Sequence, residues 1–583
     1  MKKVAGILFL GAAAAVCIAL YGSMHELYRA RAKDMEPEAK LNALSRAAAL
    51  DPLNGMAYGE TGVTHLDRAS ENLGDIPRVQ ADVDQAYRNL QKALRLDPGS
   101  AFAHFYYAKT LTLMKFIGRP VEDRPFRELE KAARLGGSHL QLDREIGVTL
   151  LGLWDSLSGE ERVFAQDLLR LSLLKDDVAT FEEVLHLWDL NVHDYAIMDG
   201  LLPDSPRLLR IYAQFLGDKN MPLAERHKAL ARAERLDYEE ALKDDEEAQN
   251  LIKLGRLGDA AQRLALCLSR LKGIRFYSQL AGGSEAGAEM EKKALLWKAA
   301  TLELAKAKLD ESRSLETALD PLRTFLVLED DYNSIKDLES YLKDLRIVPE
   351  IADNLPLNDI RRLSFEVQLM FKLHKYRQII GLGSQLQRSL IMPDEKSKAD
   401  LSGIFLLVGD SYLKLDFIYE SEAFYQKAVE LTPGNIEALS RLKLYYERRN
   451  EPDKVREVDR RLGGLVKTGQ VLSQPRLLAK STAFVQPVWL YSDQTRLRLE
   501  FEFAKLPGNS QPLITVLLND RVRWEGYVKE RGLSLDLDGQ AGANDLQVIA
   551  VNGPVALKSL ILNPLETSGA RIGARSLFFP QIN

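Results

Sequence analysis

The chain has 583 residues, more than a single hydrophobic core serves, so it is either several domains or an elongated array of repeats. With 46% hydrophobic and 28% charged residues it has the composition of an ordinary folded protein. Its 78 basic and 83 acidic side chains leave a formal net charge of -5, without the basic footprint of a nucleic-acid binder, and its two cysteines exclude a disulfide framework.

At the N-terminus, Lys2 and Lys3 precede an apolar run over residues 4–22. A helix needs about 20 such residues to cross a hydrocarbon core. The run therefore predicts a single-pass inner-membrane anchor over residues 1–23, with the membrane as partner of 4–22 and the bulk of the chain periplasmic. The alternative is a signal segment whose cleavage secretes the chain to the periplasm.

Next come recurring segments that end in A-x-x-L-x-P: LSRAAALDPLN (44–54), LQKALRLDPGS (90–100) and YQKAVELTPGN (425–435). In the last unit, Gly409, Ser421 and Ala428 are small, while Phe405, Tyr412 and Tyr425 are bulky and Pro433 closes the segment. Small residues let two helices approach, large rings fill the space beside them, and proline ends the second helix. Pro98 closes a second unit with Gly62, Ala86, Leu90 and Ala93. These residues resemble the signature of the tetratricopeptide repeat, a helix-turn-helix unit. The resemblance implies a mainly α fold, a helical solenoid whose first helices line a concave groove for protein partners. It covers residues 24–135 and 401–465. Between Pro52 and Pro98 the extra length falls around residues 70–77 and predicts a protruding loop.

Residues 136–400 keep apolar positions at helical period, as in 206–216, 248–268 and 363–382, and predict degenerate helical repeats. In the helix starting at Ala101, His104, Tyr107 and Leu111 take the packing positions implied by the resemblance. That leaves Phe102, Phe105, Lys109 and Thr112 as a stripe on the groove side, a candidate partner-binding surface. The alternative is that Phe102 and Phe105 pack against the neighbouring repeat.

After a linker over 466–483 the period changes to two. TRLRLEFEF (495–503) alternates cleanly, and further strands are predicted at 512–519, 521–528, 533–538, 544–551 and 555–562. Turn residues Asn519-Asp520, Gly539 and Asn552-Gly553 separate them, so residues 484–566 predict a small all-β sandwich following the solenoid. The run GANDLQVIAVNG resembles the closing strands of carbohydrate-binding jelly rolls. Sugar stacking would fall to Trp489, Tyr491, Trp524 and Tyr527, although Trp524 shares parity with Val522 and points to the core. A tail over 567–583 carries Phe578 and Phe579.

No catalytic, cofactor or metal constellation emerges. GGLVKTG (463–469) has Val466 where a phosphate loop needs glycine, and GGSEA (282–286) lacks the strand of a nucleophile elbow. His186, Asp189, His193 and Asp194 lack the histidine pair at i, i+4. The expected function is a non-enzymatic scaffold of envelope assembly or export, with polysaccharide as a possible partner. A glycan-binding protein using the sandwich is the second reading, and an enzyme with its site in 140–400 the third.

Overall fold

The computed structural model describes residues 2–31, 35–137, 139–174, 177–281, 286–346, 359–388, 394–465, 469–470, 476–490, 496–503, 511–540 and 542–565. The fold is mainly α, a tetratricopeptide-like helical solenoid followed by a small all-β sandwich. It divides into two compact units, Met1–Leu208 and Leu209–Asn583.

The first unit contains α1 (Lys2–Ala30), α2 (Pro37–Leu50), α3 (Gly55–Glu71), α4 (Ile76–Leu96), α5 (Ala101–Phe116) and α6 (Pro125–Gly136). It continues through α7 (Leu140–Leu151), α8 (Gly159–Leu173), α9 (Val178–Asn191) and α10 (Tyr195–Leu201). The proline motifs act as punctuation. Helix α4 stops at Leu96, Pro98 follows, and the Ser100 side chain accepts the Ala103 amide to cap α5. Asn54 caps α3 in the same way, so the last residue of each motif starts the next helix.

Two expectations are corrected in this unit. The extra length between Pro52 and Pro98 is not a protruding loop, because α3 runs to Glu71 and α4 resumes at Ile76. Asp75 accepts the Arg78 amide as N-cap, and Pro77 sits in the first turn where its missing N–H costs nothing. The insertion lengthens two helices instead.

The single-pass inner-membrane assignment is also corrected: among the described residues no helix is long and apolar enough to cross a membrane. The side chains of α1 are described from Ala14 onward, and its C-terminal half belongs to the first repeat. Ser23, Leu27 and Ala30 are buried, with Leu27 and Ala30 in one core with Ala43, Leu44 and Ala47 of α2. The Ser23 hydroxyl donates to the Ala47 carbonyl at 2.9 Å and accepts from Asn54 Nδ2 at 3.0 Å.

The second unit contains most of α11 (Pro206–Asp218), then α12 (Leu223–Lys253), α13 (Leu257–Gly273), α14 (Ala286–Ser312), α15 (Leu315–Leu328) and α16 (Tyr332–Asp344). There follow α17 (Ile360–Lys372), α18 (Tyr376–Arg388), α19 (Glu395–Lys414), α20 (Ile418–Leu431), α21 (Ile436–Arg448) and α22 (Pro452–Leu465). The pair α19 and α20 repeats the polar joint of the first repeat. Ser402 donates to the Ala428 carbonyl at 2.7 Å and accepts from Asn435 Nδ2 at 2.8 Å.

Nine strands among the described residues form two antiparallel sheets. They are β1 (Gly469–Gln470), β2 (Arg476–Leu478), β3 (Ala483–Leu490), β4 (Arg496–Phe503), β5 (Leu513–Leu518), β6 (Arg521–Tyr527), β7 (Gly532–Asp538), β8 (Gly542–Ala550) and β9 (Val555–Leu565). One sheet has the order β1-β9-β4-β7 with β2 also on β9, and the other β3-β8-β5-β6. The stretch read as a linker thus supplies β1 and β2. Leu499, Phe501 and Phe503 of one sheet meet Ile514, Val516 and Leu546 of the other in a single core. Asn519 and Asp520 both have positive φ, 55° and 58°, the geometry of a tight hairpin turn between β5 and β6.

Candidate functional site

The repeat signature is a set of close helix contacts. A Cβ at Gly409 would stand 2.5 Å from Tyr425 Cε1, and one at Gly62 would stand 2.5 Å from Leu90 Cγ. Ala86, Ala93, Tyr425 and Ala428 are buried, while Tyr412 is half-buried and stacks on Phe424 with ring centroids 5.1 Å apart. Pro98 and Pro433 lie exposed at the turns. Tyr425 donates to Asp410 Oδ1 at 2.8 Å, and Arg441 approaches the same oxygen at 3.1 Å.

On α5, His104, Tyr107 and Leu111 are buried. His104 Nδ1 lies 2.6 Å from Glu128 of α6, and this hydrogen bond holds the Glu128 carboxyl below its ordinary range against the opposing effect of burial. The four groove candidates divide. Phe102 is 52% exposed, Lys109 and Thr112 are half-buried, and Phe105 is only 3% exposed. Phe105 therefore takes the packing role left open for it, edge-on to Tyr106 with the Lys109 ammonium 5.4 Å above its ring. The Thr112 hydroxyl is used within the helix, donating to the Ala108 carbonyl.

A second constellation, absent from the sequence reading, lies where the β3-β8-β5-β6 sheet meets α11, α12 and the segment after α13. Ile514, Val516 and Leu518 of β5 enter the sandwich core, but Leu513, Thr515 and Leu517 on the other face are buried as well. A Cβ on Gly217 of α11 would come within 3.0 Å of Leu513. Into this covered face β6 inserts Glu525, whose side chain is fully buried.

The Glu525 carboxylate is surrounded by donors. Arg226 of α12 contributes Nε to Oε1 at 2.7 Å, and His227 Nε2 stands 3.2 Å from the same oxygen. Thr515 donates to Oε2 at 2.6 Å, with Tyr277 at 3.3 Å. Burial alone would raise the carboxyl; the His227 contact, the Arg226 charge and the Thr515 hydroxyl outweigh it and hold Glu525 at about 2. Around this ion pair, Tyr527 donates to the Met221 carbonyl, Gln214 to the Val551 carbonyl and Asn552 to the Gly217 carbonyl. Lys480 adds a surface ion pair to Asp218.

The segment 274–281 acts as a strap between helices and sheet. Its backbone is fixed on both sides: the Arg275 and Tyr277 amides donate to the buried Glu234 carboxyl, and the Arg275 carbonyl accepts the Val522 amide of β6 at 3.0 Å. That last bond also covers the outer edge of β6, which would otherwise present an unpaired strand. Phe276 is held at a left-handed φ of 65°, under the Lys293 ammonium at 4.8 Å and the Arg521 guanidinium at 5.6 Å. Burial pushes the Glu234 carboxyl up to about 7, opposed by its two amide donors. Burial likewise lowers Lys293 to about 8, opposed by the charge of Glu234.

Beside the strap opens a cleft of about 550 Å³. Arg210, Arg226, Arg270 and Arg275 line it, facing Glu234 and Asp237. Three of the guanidiniums are already bound to acids: Arg226 to Glu525, Arg210 to Asp237, and Arg270 to Asp244 and Glu240. Arg275 forms no ion pair among the described residues.

Of the aromatics considered for sugar stacking, Trp524 packs against the sandwich core and Tyr527 is tied to Met221. The side chains of Trp489 and Tyr491, residues 282–285 of GGSEA, residues 466–468 of GGLVKTG and the 567–583 tail with Phe578 and Phe579 lie outside the described residues. In the HLWDLNVHD segment, Asp189 accepts the Tyr195 hydroxyl and the Asp194 carbonyl accepts the Trp188 indole, both local contacts.

No protein-family model matches the chain, and no curated protein matches it. Solved structures similar to it include Naa15/Naa10 bound to HypK-THB, at 16% identity and TM-score 0.22 over 77% of this chain, which spans 63% of that one. Yeast Tom70 is 13% identical with TM-score 0.20, covering 78% of this chain and 92% of that one. The Cut9–Hcn1 hetero-tetramer of the APC/C is 12% identical with TM-score 0.23, covering 77% and 93%.

Proposed function

We propose that this chain is an interaction scaffold that holds protein partners on the first helices of its repeats. The observation that carries this reading is the face of α5. Its packing side is locked by His104, Tyr107 and Leu111, while Phe102 remains half in solvent, edge-on to His139 with ring centroids 5.7 Å apart, and Lys109 and Thr112 follow it at i+7 and i+10. A half-exposed aromatic on a rigid helix is the chemistry of an interaction hot spot, and holding its ring in place lowers the ordering cost of binding. The test is site-specific photo-crosslinking in the native cell. A crosslinker at position 102 should give adducts of defined mass that one at the exposed control Leu254 does not. Identical adducts from both positions, or none from 102, would remove α5 as the binding face.

Within this reading, envelope assembly, with polysaccharide synthesis or export as its narrower form, is the role to test by gene neighbourhood. Glycosyltransferases or a polymerase beside the gene would favour it. The glycan-binding alternative has less support, because Trp524 and Tyr527 are both engaged in packing.

A further inference from the structure

We propose that the cleft beside the strap is a binding site for a small organic oxyanion, a carboxylate or phosphate compound, held by Arg275 with the spare donors of Arg210 and Arg270. At about 550 Å³ the cleft is within the usual range for small-ligand sites. Its lining is unusually rich in guanidiniums, and each guanidinium carries five N–H donors in a planar fork suited to carboxylate and phosphate oxygens. The internal ion pairs do not exhaust these donors. Arg210 reaches Asp237 through Nη2 alone, and Arg270 uses Nε and Nη1. Arg210 and Arg270 remain 41% and 35% exposed, so the unused nitrogens are accessible.

Arg275 is the decisive residue. Its amide and carbonyl are pinned to Glu234 and Val522, so its side chain is delivered to the cleft by a fixed backbone. It forms no ion pair among the described residues, whereas its three neighbours are each matched to an acid. A guanidinium fork on a fixed backbone beside a cavity, unpaired among the described residues, is the feature an anionic ligand would complete. Arg226 plays a different part, since its commitment to Glu525 makes it a wall of the site and not a donor to spare. A ligand seated on Arg275 would also bind the strap, and through it the helices and β6 together.

Thermal unfolding of the full chain tests this at constant ionic strength, titrating citrate, pyrophosphate or sodium chloride. Citrate, pyrophosphate or both should raise the midpoint saturably and chloride should not. A response to citrate alone identifies a carboxylate site, and one to pyrophosphate alone a phosphate site. Arg275→Ala should weaken the responding anion about ten-fold or more, the loss expected for a charge-assisted contact. Arg460→Ala, at an exposed arginine of α22, should leave it unchanged. Arg275→Lys, which keeps the charge but not the fork, should fall between, and serves as the test if the alanine variant is unfolded by circular dichroism. No saturable response, or an equal response in wild type and both Arg275 variants, overturns the proposal.

Discussion

Arg226 of α12 and Glu525 of β6, 299 residues apart in sequence, form a buried ion pair with Nε 2.7 Å from Oε1. Each would be costly to bury alone, so the pair makes the contact between helices and sandwich sensitive to the loss of either partner. Arg226→Ala or Glu525→Ala should destabilise the second unit by about 3–5 kcal/mol. Replacing both by apolar residues, Arg226→Met with Glu525→Leu, should cost less than the sum of the two single losses, without full recovery because Thr515, His227 and Tyr277 lose their acceptor. Urea unfolding of the full chain measures both effects, and additive single losses in the double variant would contradict the pairing.

The depressed carboxyl of Glu525 has a pH signature. Its folded value is about 2 against an ordinary 4.5. A lowered folded pKa gives stability that is fully present above the unfolded value and lost as pH falls through the folded one. The denaturation midpoint of the wild type should therefore drop as pH falls from 4.5 toward 2. In Glu525→Gln that part of the slope should be missing, and parallel curves for the two proteins would count against a specially stabilised carboxylate.

Repeat packing predicts a graded series. Gly409→Leu, Gly62→Leu and Ala428→Leu each force a side chain into a close contact and should cost about 1–3 kcal/mol. At Gly409 the obstructing ring cannot swing aside freely, because the Tyr425 hydroxyl is tied to Asp410. Gly74→Ala, where a Cβ meets nothing within 4 Å, should be neutral. Unchanged thermal midpoints for all three leucine variants would refute the pairing of these helices.

The two phenylalanines of α5 should separate cleanly. Phe105→Ala opens a buried cavity and should cost about 3–5 kcal/mol. Phe102→Ala removes a half-exposed ring and should alter stability by less than about 0.5 kcal/mol while reducing the partner adducts formed from a crosslinker placed at position 112. If Phe102→Ala is the more destabilising change, the assignment of the two faces is reversed.

The helical repeats were legible because their chemistry is local. Pro98 and Pro433 end a helix, and the residues two places later, Ser100 and Asn435, cap the next one. In the sandwich, Asn519-Asp520 announced its hairpin, and the alternation of TRLRLEFEF set β4. Strand β3 was hidden by Pro487, which is tolerated because β3 lies at the edge of its sheet. The Glu525 junction was harder to see. Its partners come from α12, β5 and the strap, and no spacing within one segment links them. One signal was present: LITVLL of β5 is apolar without alternation, the pattern of a strand buried on both faces. Beside such a strand, an acid at position 525 calls for a buried counter-ion.

The double burial of β5 also bears on how the molecule can be cut. A fragment starting at the first strand would present Leu513 and Leu517 to water, with Thr515 and an unneutralised Glu525 between them, and would leave the Val522 amide on a bare strand edge. That is a sticky, charge-frustrated surface prone to self-association. The sandwich is thus a separate module in chain order but not in folding, and the smallest soluble excision that includes it must carry α11 through the strap along with it.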